Sequence, residues 1–410
     1  MPGKAHKCLG APMVALTLVA ATAGACASKA KTPLVDDGAW ERIEVWEQRA
    51  SFDYDRVATA ANHDAVAWLG RDADDSAALA YWEMRDGEDK SSITLPTPSV
   101  PVLIPIGVAV DDEGWAAVAV SRDKPNGANT GLLTWHGRVG QRTDVAPAQP
   151  LTPPAWATSP PESVSVARSN DRLAVAAVYD DRAVVWSMQD DPVASGTGAW
   201  ESDAEGADLG LSGAGSSGLE SLRIVGDGSR LVLAAVDGDG AAHLWESTDG
   251  SSWSEVGSGS LPKRVGAVGV LSLLGKDDVA VSWLADEEGA PWNATSARVQ
   301  RIVGDRVVDE GTVKATPDDG VDQLHLTSAV RSPEGSLVVV GGAVRSSGAH
   351  TPMVWLREGG TWHPTKQAAL TGHLDHEFRA VVTTRSDNAM VALATALEHP
   401  DVEAWQWRPD

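Results

Sequence analysis

Basic residues, Phe, Tyr and Cys are all scarce in this chain, and each shortage closes off a class of explanation. Lys and Arg number 33 against 57 Asp and Glu, a formal net charge of −24. A broad phosphate-binding surface is therefore excluded, and nucleic acid is not an expected partner. Only 2 Phe and 3 Tyr accompany 17 Trp and 40 Gly, and no long run of helix-forming residues interrupts that pattern. Many short strands and turns are expected instead. The 2 Cys, Cys8 and Cys26, both precede the bulk of the chain, so no internal disulfide is available to it and its stability must come from burial. With 43% hydrophobic residues in 410, the chain can bury a substantial core, as two or three ordinary domains or one large all-β domain.

Residues 1–25 differ from the rest. Lys4, His6 and Lys7 lead into an apolar stretch from Leu9 to Val19, followed by small residues up to Cys26. This is the three-part layout of an export signal, and the apolar run is too short for a membrane-spanning helix. The segment "AGAC" (Ala23 to Cys26) resembles the bacterial lipobox, in which the Cys is lipidated and becomes the mature N-terminus, although Leu is usual where Ala23 stands. The resemblance implies a lipid anchor at Cys26 and a cell-membrane location outside the cytoplasm. Ordinary secretion, with cleavage after Ala25 or Ala27, is the alternative. The Ala-, Val-, Gly- and Asp-rich, Lys-poor composition is similar to that of actinobacterial proteins. Residues 26–37 are then a short linker, and 38–410 form the folded domain.

Within that domain seven stretches share one grammar, a turn of Asp, Asn or Gly followed by an apolar strand. They are "ANHDAVAW" from Ala61, "DDEGWAAVAV" from Asp111, "SNDRLAVAAV" from Ser169, "GDGSRLVLAAV" from Gly226, "GKDDVAVSW" from Gly275, "SPEGSLVVVGG" from Ser332 and "SDNAMVALAT" from Ser386. Their spacing is that of a four-stranded unit. Each continues through a short polar turn into a strand expected to end in Trp: Trp82, Trp135, Trp186, Trp245, Trp292, Trp355 and Trp405. One such unit cannot cover its own apolar faces, whereas seven arranged radially cover one another. The expected fold is all-β, a seven-bladed β-propeller of four-stranded antiparallel blades. The last repeat supplies three strands and ends in "AWQWRPD", while "DDGAWERIEVW" near residue 40 has no strands before it. Joined, they recreate the internal "WESTDGSSW", so the N-terminal strand is expected to close the last blade and remove two exposed sheet edges.

"STDGSSW", with Ser247, Asp249, Gly250 and Trp253, resembles the Asp-box of sialidase-like (BNR-repeat) propellers, a superfamily architecture shared with WD40-like folds. That resemblance implies a structural turn between third and fourth strands, with no catalytic part. Trp40, Trp200 and Trp362 sit in eroded copies. Active sialidases also imply a Tyr nucleophile, an Asp acid/base, three Arg and an early "FRIP"-type signature. Here the nearest stretch is "FRAV" at Phe378 in the last repeat, and Arg168, Arg331 and Arg385 recur at one repeated turn, a placement that favours a structural role.

Candidate binding residues lie on loops. The turns between second and third strands carry Asp72, Asp74, Asp75, Asp180, Asp181, Asp286, Glu287, Glu288, Asp401 and Glu403, which would ring one face and attract a cationic partner. Acidic turn residues also serve solubility alone. His373, Asp375 and His376 ("HLDHE") are further candidates, but they lack a third well-spaced ligand, so no metal is assigned. Trp156, in the Pro-rich connection "APAQPLTPPAWATSPPES", stands out of register with the repeated Trp and is the aromatic most suspected of touching a ligand. The expectation is a monomeric surface module, without cofactor, that binds a protein or glycan ligand. A glycan-active enzyme, a sialidase-like hydrolase or propeller lyase, is the alternative.

Overall fold

The computed structural model describes residues 40–46, 58–62, 65–71, 77–83, 89–96, 102–110, 114–122, 129–138, 145, 147–169, 172–189, 201–202, 218–226, 229–285, 294–315, 321–345, 350–365, 376–383, 390–396 and 402–407. Every regular element among them is a strand, and no helix among them is long and apolar enough to cross a membrane.

Strand β1 spans Trp40–Trp46. Then follow β2 (Ala58–Asn62), β3 (Ala65–Arg71), β4 (Ala77–Glu83) and β5 (Asp89–Thr94), which form the first four-stranded sheet. The second holds β6 (Val102–Val110), β7 (Gly114–Arg122), β8 (Asn129–Arg138) and β9 (Gln149–Leu151). In the third are β10 (Ser163–Ser169), β11 (Arg172–Tyr179), β12 (Arg182–Gln189) and β13 (Glu201–Ser202). The fourth comprises β14 (Leu219–Gly226), β15 (Leu231–Asp237), β16 (Ala242–Ser247) and β17 (Ser254–Glu255). The fifth comprises β18 (Val265–Gly275), β19 (Asp278–Ala285), β20 (Ser296–Val303) and β21 (Arg306–Lys314). To the sixth belong β22 (Val321–Arg331), β23 (Leu337–Arg345), β24 (His350–Glu358) and β25 (Thr361–Thr365). The remaining sheet has β26 (His376–Thr383), β27 (Met390–Ala396) and β28 (Val402–Trp407), and its fourth position is filled by β1, antiparallel to β28 with Trp40 opposite Trp407 and Trp46 opposite Val402.

All pairings within the sheets are antiparallel between neighbours in sequence, apart from β1 with β28. The first strand of each sheet lies against the first strand of the next, β2 against β6 and onward to β26, and β26 lies against β2. The second strands are therefore covered on both faces. All seven residues of β15 are buried, as are seven of the eight in β11. This explains why "LVLAAV" and "LAVAAV" read as nearly unbroken apolar runs rather than as strict alternation.

Two features tie neighbouring sheets together. First, the Trp of a third strand donates its indole N–H to a carbonyl where the chain leaves the preceding sheet. Trp135 reaches Pro96 O at 2.8 Å, Trp186 reaches Thr152 O at 3.3 Å and Trp355 reaches Lys314 O at 3.1 Å. In the fifth sheet the expected Trp292 is not in a third strand; it precedes β20 and lies outside the described residues. Fully buried Trp283 of β19 takes the slot, donating to Gln300 Oε1 at 3.0 Å, while Gln300 Nε2 donates to Ser260 O at 3.0 Å. The amide side chain thus relays the same inter-sheet bond. Second, serines on one first strand satisfy main-chain N–H groups on the next, whose ladder edge would otherwise be bare. Ser165 Oγ accepts from Ile224 N at 3.1 Å, Ser221 Oγ from Val268 N at 3.3 Å and Ser272 Oγ from Ala329 N at 3.1 Å.

Arg331 at the end of β22 donates to Asp278 of the fifth sheet at 2.6 and 3.2 Å, and Asp278 also receives Arg301 at 3.0 Å. Arg168 is buried, and its Cζ lies where a Cβ on Gly114 of the second sheet would stand 2.8 Å away. Both are inter-sheet ties; Arg385 lies outside the described residues. Glu403 is not a member of a surface ring. It sits in β28 opposite Ala394 and Val45, and only 4% of it is exposed. Strand pairing on both sides draws the acid at the end of "HPDVE" inward.

Candidate ligand-binding cleft

The turn between β16 and β17 is held by hydrogen bonds from its own side chains. Ser247 Oγ accepts from Asp249 N at 3.3 Å and Gly250 N at 2.8 Å, while Asp249 Oδ1 accepts from Ser251 N at 2.8 Å and Ser252 N at 2.7 Å. Those bonds from Ser252 and Ser251 hold the Asp249 carboxyl well below the usual carboxylate range. Gly250 has φ +75 and sits flush against β12, where a Cβ would lie 2.8 Å from Ser187 Cβ. Arg172 donates to Asp249 O, and Trp253 packs on the cluster shared by the third and fourth sheets. The turn is a buttress, with Asp249 Oδ1 taken up by the Ser247 hydroxyl at 3.0 Å and by Ser251 N and Ser252 N.

A different use of acidic residues appears at the β11–β12 hairpin. Asp180 and Asp181 carry φ 44 and 66, the two left-handed positions of a type I′ turn, which short polar Asp tolerates better than most side chains. Asp180 faces the Pro-rich connection after β9. Its Oδ2 accepts from Thr158 N at 2.5 Å and Thr158 Oγ1 at 3.0 Å, and its Oδ1 accepts from the Ser159 hydroxyl. The Ser159 bond first, then the Thr158 amide, hold this carboxyl below its ordinary value. On the other side, Leu219 N donates to Asp181 O at 2.9 Å and Gly238 N to Gly218 O at 2.7 Å. The β11–β12 hairpin is thus flanked by the connections that lead into the third and fourth sheets.

Between the connection and the hairpin lies a cleft of about 520 Å³, lined by Trp156, Thr158, Ser159, Glu162, Asp180, Asp181 and Arg182. A volume of that order suits a small ligand or one to two side chains. Trp156 forms an aromatic wall, half-buried against the core of the second and third sheets. Arg182 places its guanidinium carbon 5.2 Å from the Trp156 ring centroid. Asp181, Arg182 and Glu162 are exposed. The structure thus brings together Trp156, Asp180 and Asp181 from the sequence-predicted set, and adds Arg182, Glu162, Thr158 and Ser159. Only the run of Pro around Trp156 hinted that these would meet.

Most of the other candidates are not among the residues the structure describes. Cys26, Asp286, Glu287, Glu288, His373 and Asp375 lie outside the described residues, as do Asp72, Asp74, Asp75 and Asp401. His376 begins β26. Among the described residues no three His, Cys, Asp or Glu converge as metal ligands. "DGDG" is a hairpin, with Asp237 Oδ1 accepting from Asp239 N at 3.0 Å and Ala241 N at 2.8 Å. Tyr179 is fully buried edge-on to Trp186, out of contact with solvent, and burial pushes its hydroxyl up to about 12.

No family model matches this chain, and no curated protein matches it. Solved structures do align with it. Trypanosoma rangeli sialidase, in complex with the inhibitor DANA, aligns at 12% identity over 78% of this chain and 60% of its own, with TM-score 0.46. The chain thus spans 60% of that sialidase's length. The Cps50 (Swd1) beta-propeller domain of Myceliophteria thermophila aligns at 10% identity over 88% and 98%, with TM-score 0.47. The BP39L lectin of Burkholderia pseudomallei aligns at 14% identity over 88% and 99%, with TM-score 0.45. At such identities the architectural reading of this chain rests on its own strand pairing, which is all-β and built of antiparallel four-stranded sheets.

Proposed function

We propose that the chain is an exported seven-bladed β-propeller, closed by β1, that acts outside the membrane as a monomeric binding module for a protein or glycan ligand. The Trp156 cleft is its ligand site. Closure is supported by the cyclic contact of first strands and by the β1–β28 ladder. Deleting residues 40–46 is expected to destroy cooperative folding, and a deletion variant melting like the parent would overturn it. Export and a lipid anchor at Cys26 are supported by the charged, apolar and small-residue order of the first 26 residues. The mass of the mature N-terminus, with Cys26 intact and in Cys26→Ala, decides between anchor and free secretion.

One observation carries the binding reading: an aromatic wall, a guanidinium and two carboxylates from separate segments meet in one open cleft whose loop is pinned by Asp180. Rigid backbone with exposed, chemically varied side chains is what recognition requires. The test is a glycan and peptide panel on the mature protein beside Trp156→Ala, whose fold is checked by its Tm. Loss of more than about tenfold in affinity is expected, given the weight of aromatic anchors. Undiminished binding by a folded Trp156→Ala would remove the cleft from the account. The glycan-enzyme alternative has its own readout, turnover of fluorogenic glycosides.

A further inference from the structure

The cleft already holds a cation. Arg182 lies over Trp156 at 5.2 Å, within the range at which a ring face attracts a guanidinium. Among the described residues no carboxylate pairs with Arg182, and none of their basic groups pairs with Asp181 or Glu162. Asp180 takes no part in this balance, because Thr158 and Ser159 consume its oxygens. Two spare carboxylates and an aromatic face therefore stand around a single, solvent-exposed arginine. The local excess is negative, within a chain of formal net charge −24, a field that draws cations toward it.

Resting on the reading of the cleft as the ligand site, we propose that its ligand is a cationic side chain, the guanidinium or ammonium of a basic polypeptide, and that Arg182 is an intramolecular occupant which that side chain displaces. Arg182 begins β12 directly after the hairpin, so its long side chain can swing from the ring into solvent without moving backbone. The incoming cation then gains the ring face and both carboxylates, while Arg182 loses one exposed contact that is weak at best.

The experiment is titration calorimetry of the mature protein with acetyl-Gly-Arg-Arg-Gly-amide and with its citrulline counterpart, which keeps the shape and lacks the charge. The arginine peptide is expected to bind roughly tenfold more tightly than the citrulline peptide, and more weakly as salt rises. Arg182→Ala is expected to tighten arginine-peptide binding several-fold, because the internal competitor is gone, and Trp156→Ala to abolish it. Equal affinity for the two peptides, or no binding of either, overturns the cationic ligand. A folded Arg182→Ala that weakens binding overturns the displacement and makes Arg182 a direct contact. Glycan binding that Trp156→Ala abolishes, with no peptide bound, rejects the cation while keeping the cleft. Peptide binding that Trp156→Ala leaves intact rejects the cleft itself.

Discussion

Two acidic hairpins on adjacent sheets spend their carboxylates in opposite ways. At Ser247–Trp253 the carboxylate of Asp249 caps N–H groups two and three residues along its own turn, and the neighbouring sheet supports it from outside through Arg172 and Ser187. At Tyr179–Arg182 the carboxylate of Asp180 instead takes its donors from a loop 21 and 22 residues upstream. The first arrangement strengthens the hairpin that bears it. The second leaves its own hairpin to the type I′ backbone and spends the side chain on positioning Trp156. Residue type and turn context are alike; the source of the donors separates a buttress from a binding wall.

The largest expected effect breaks the buttress. Gly250→Val puts a branched side chain at φ +75 and against Ser187, so a loss of about 3 kcal/mol of stability is expected, read by denaturant unfolding. Binding at the cleft should survive below the melting transition. A variant as stable as the parent would mean that the turn does not bear on the third sheet.

Removing each carboxylate in turn sharpens the contrast. Asp249→Ala frees two turn N–H groups and should cost about 2 kcal/mol, as loss of a capping acceptor does, with no change in ligand affinity. Asp180→Ala should behave the other way. Its Tm should stay near the parent's, while proteolysis within residues 152–162 accelerates and ligand affinity falls as far as in Trp156→Ala. If both variants lost the same stability and kept the ligand, the two turns would be doing one job.

Much of this architecture is legible in the chain because sheets covered on both faces demand apolar second strands, and seven of those recur. The Ser247–Trp253 turn is legible as a turn because its capping bonds are local, spanning two or three residues. Trp292 was misplaced because a Trp after a Gly-Ala-Pro turn looks like its counterparts; the slot is filled instead from β19 by Trp283, and the relay through Gln300 leaves no trace in spacing. Inner-strand serines such as Ser165 and Ser272 read as neutral residues, yet they close main-chain bonds to the next sheet. Glu403 looked like a loop acid because charge alone does not show strand pairing on both sides. At the cleft, Trp156 and Asp180 are each conspicuous in sequence. Their meeting depends on where a Pro-rich loop lands, which no local pattern encodes.

The smallest expected effect is one of pH, and it probes what holds the loop. Asp180 is depressed below the ordinary aspartate value near 3.8, so its contribution is fully present above that value and is lost only as pH falls through its lower folded value. Protease resistance of residues 152–162 should therefore stay flat from neutral pH to about 4, and drop only below it. The Ser159 hydroxyl is the foremost cause of that depression. In Ser159→Ala the Asp180 carboxyl should titrate closer to the ordinary value, followed by carboxyl-carbon NMR, and the onset of proteolysis should move to higher pH with it. Asp249, whose donors are its own main chain, should not shift in that variant. A parallel shift at both turns would tie them into one electrostatic unit and dissolve the distinction between buttress and binding wall; a shift confined to Asp180 keeps it.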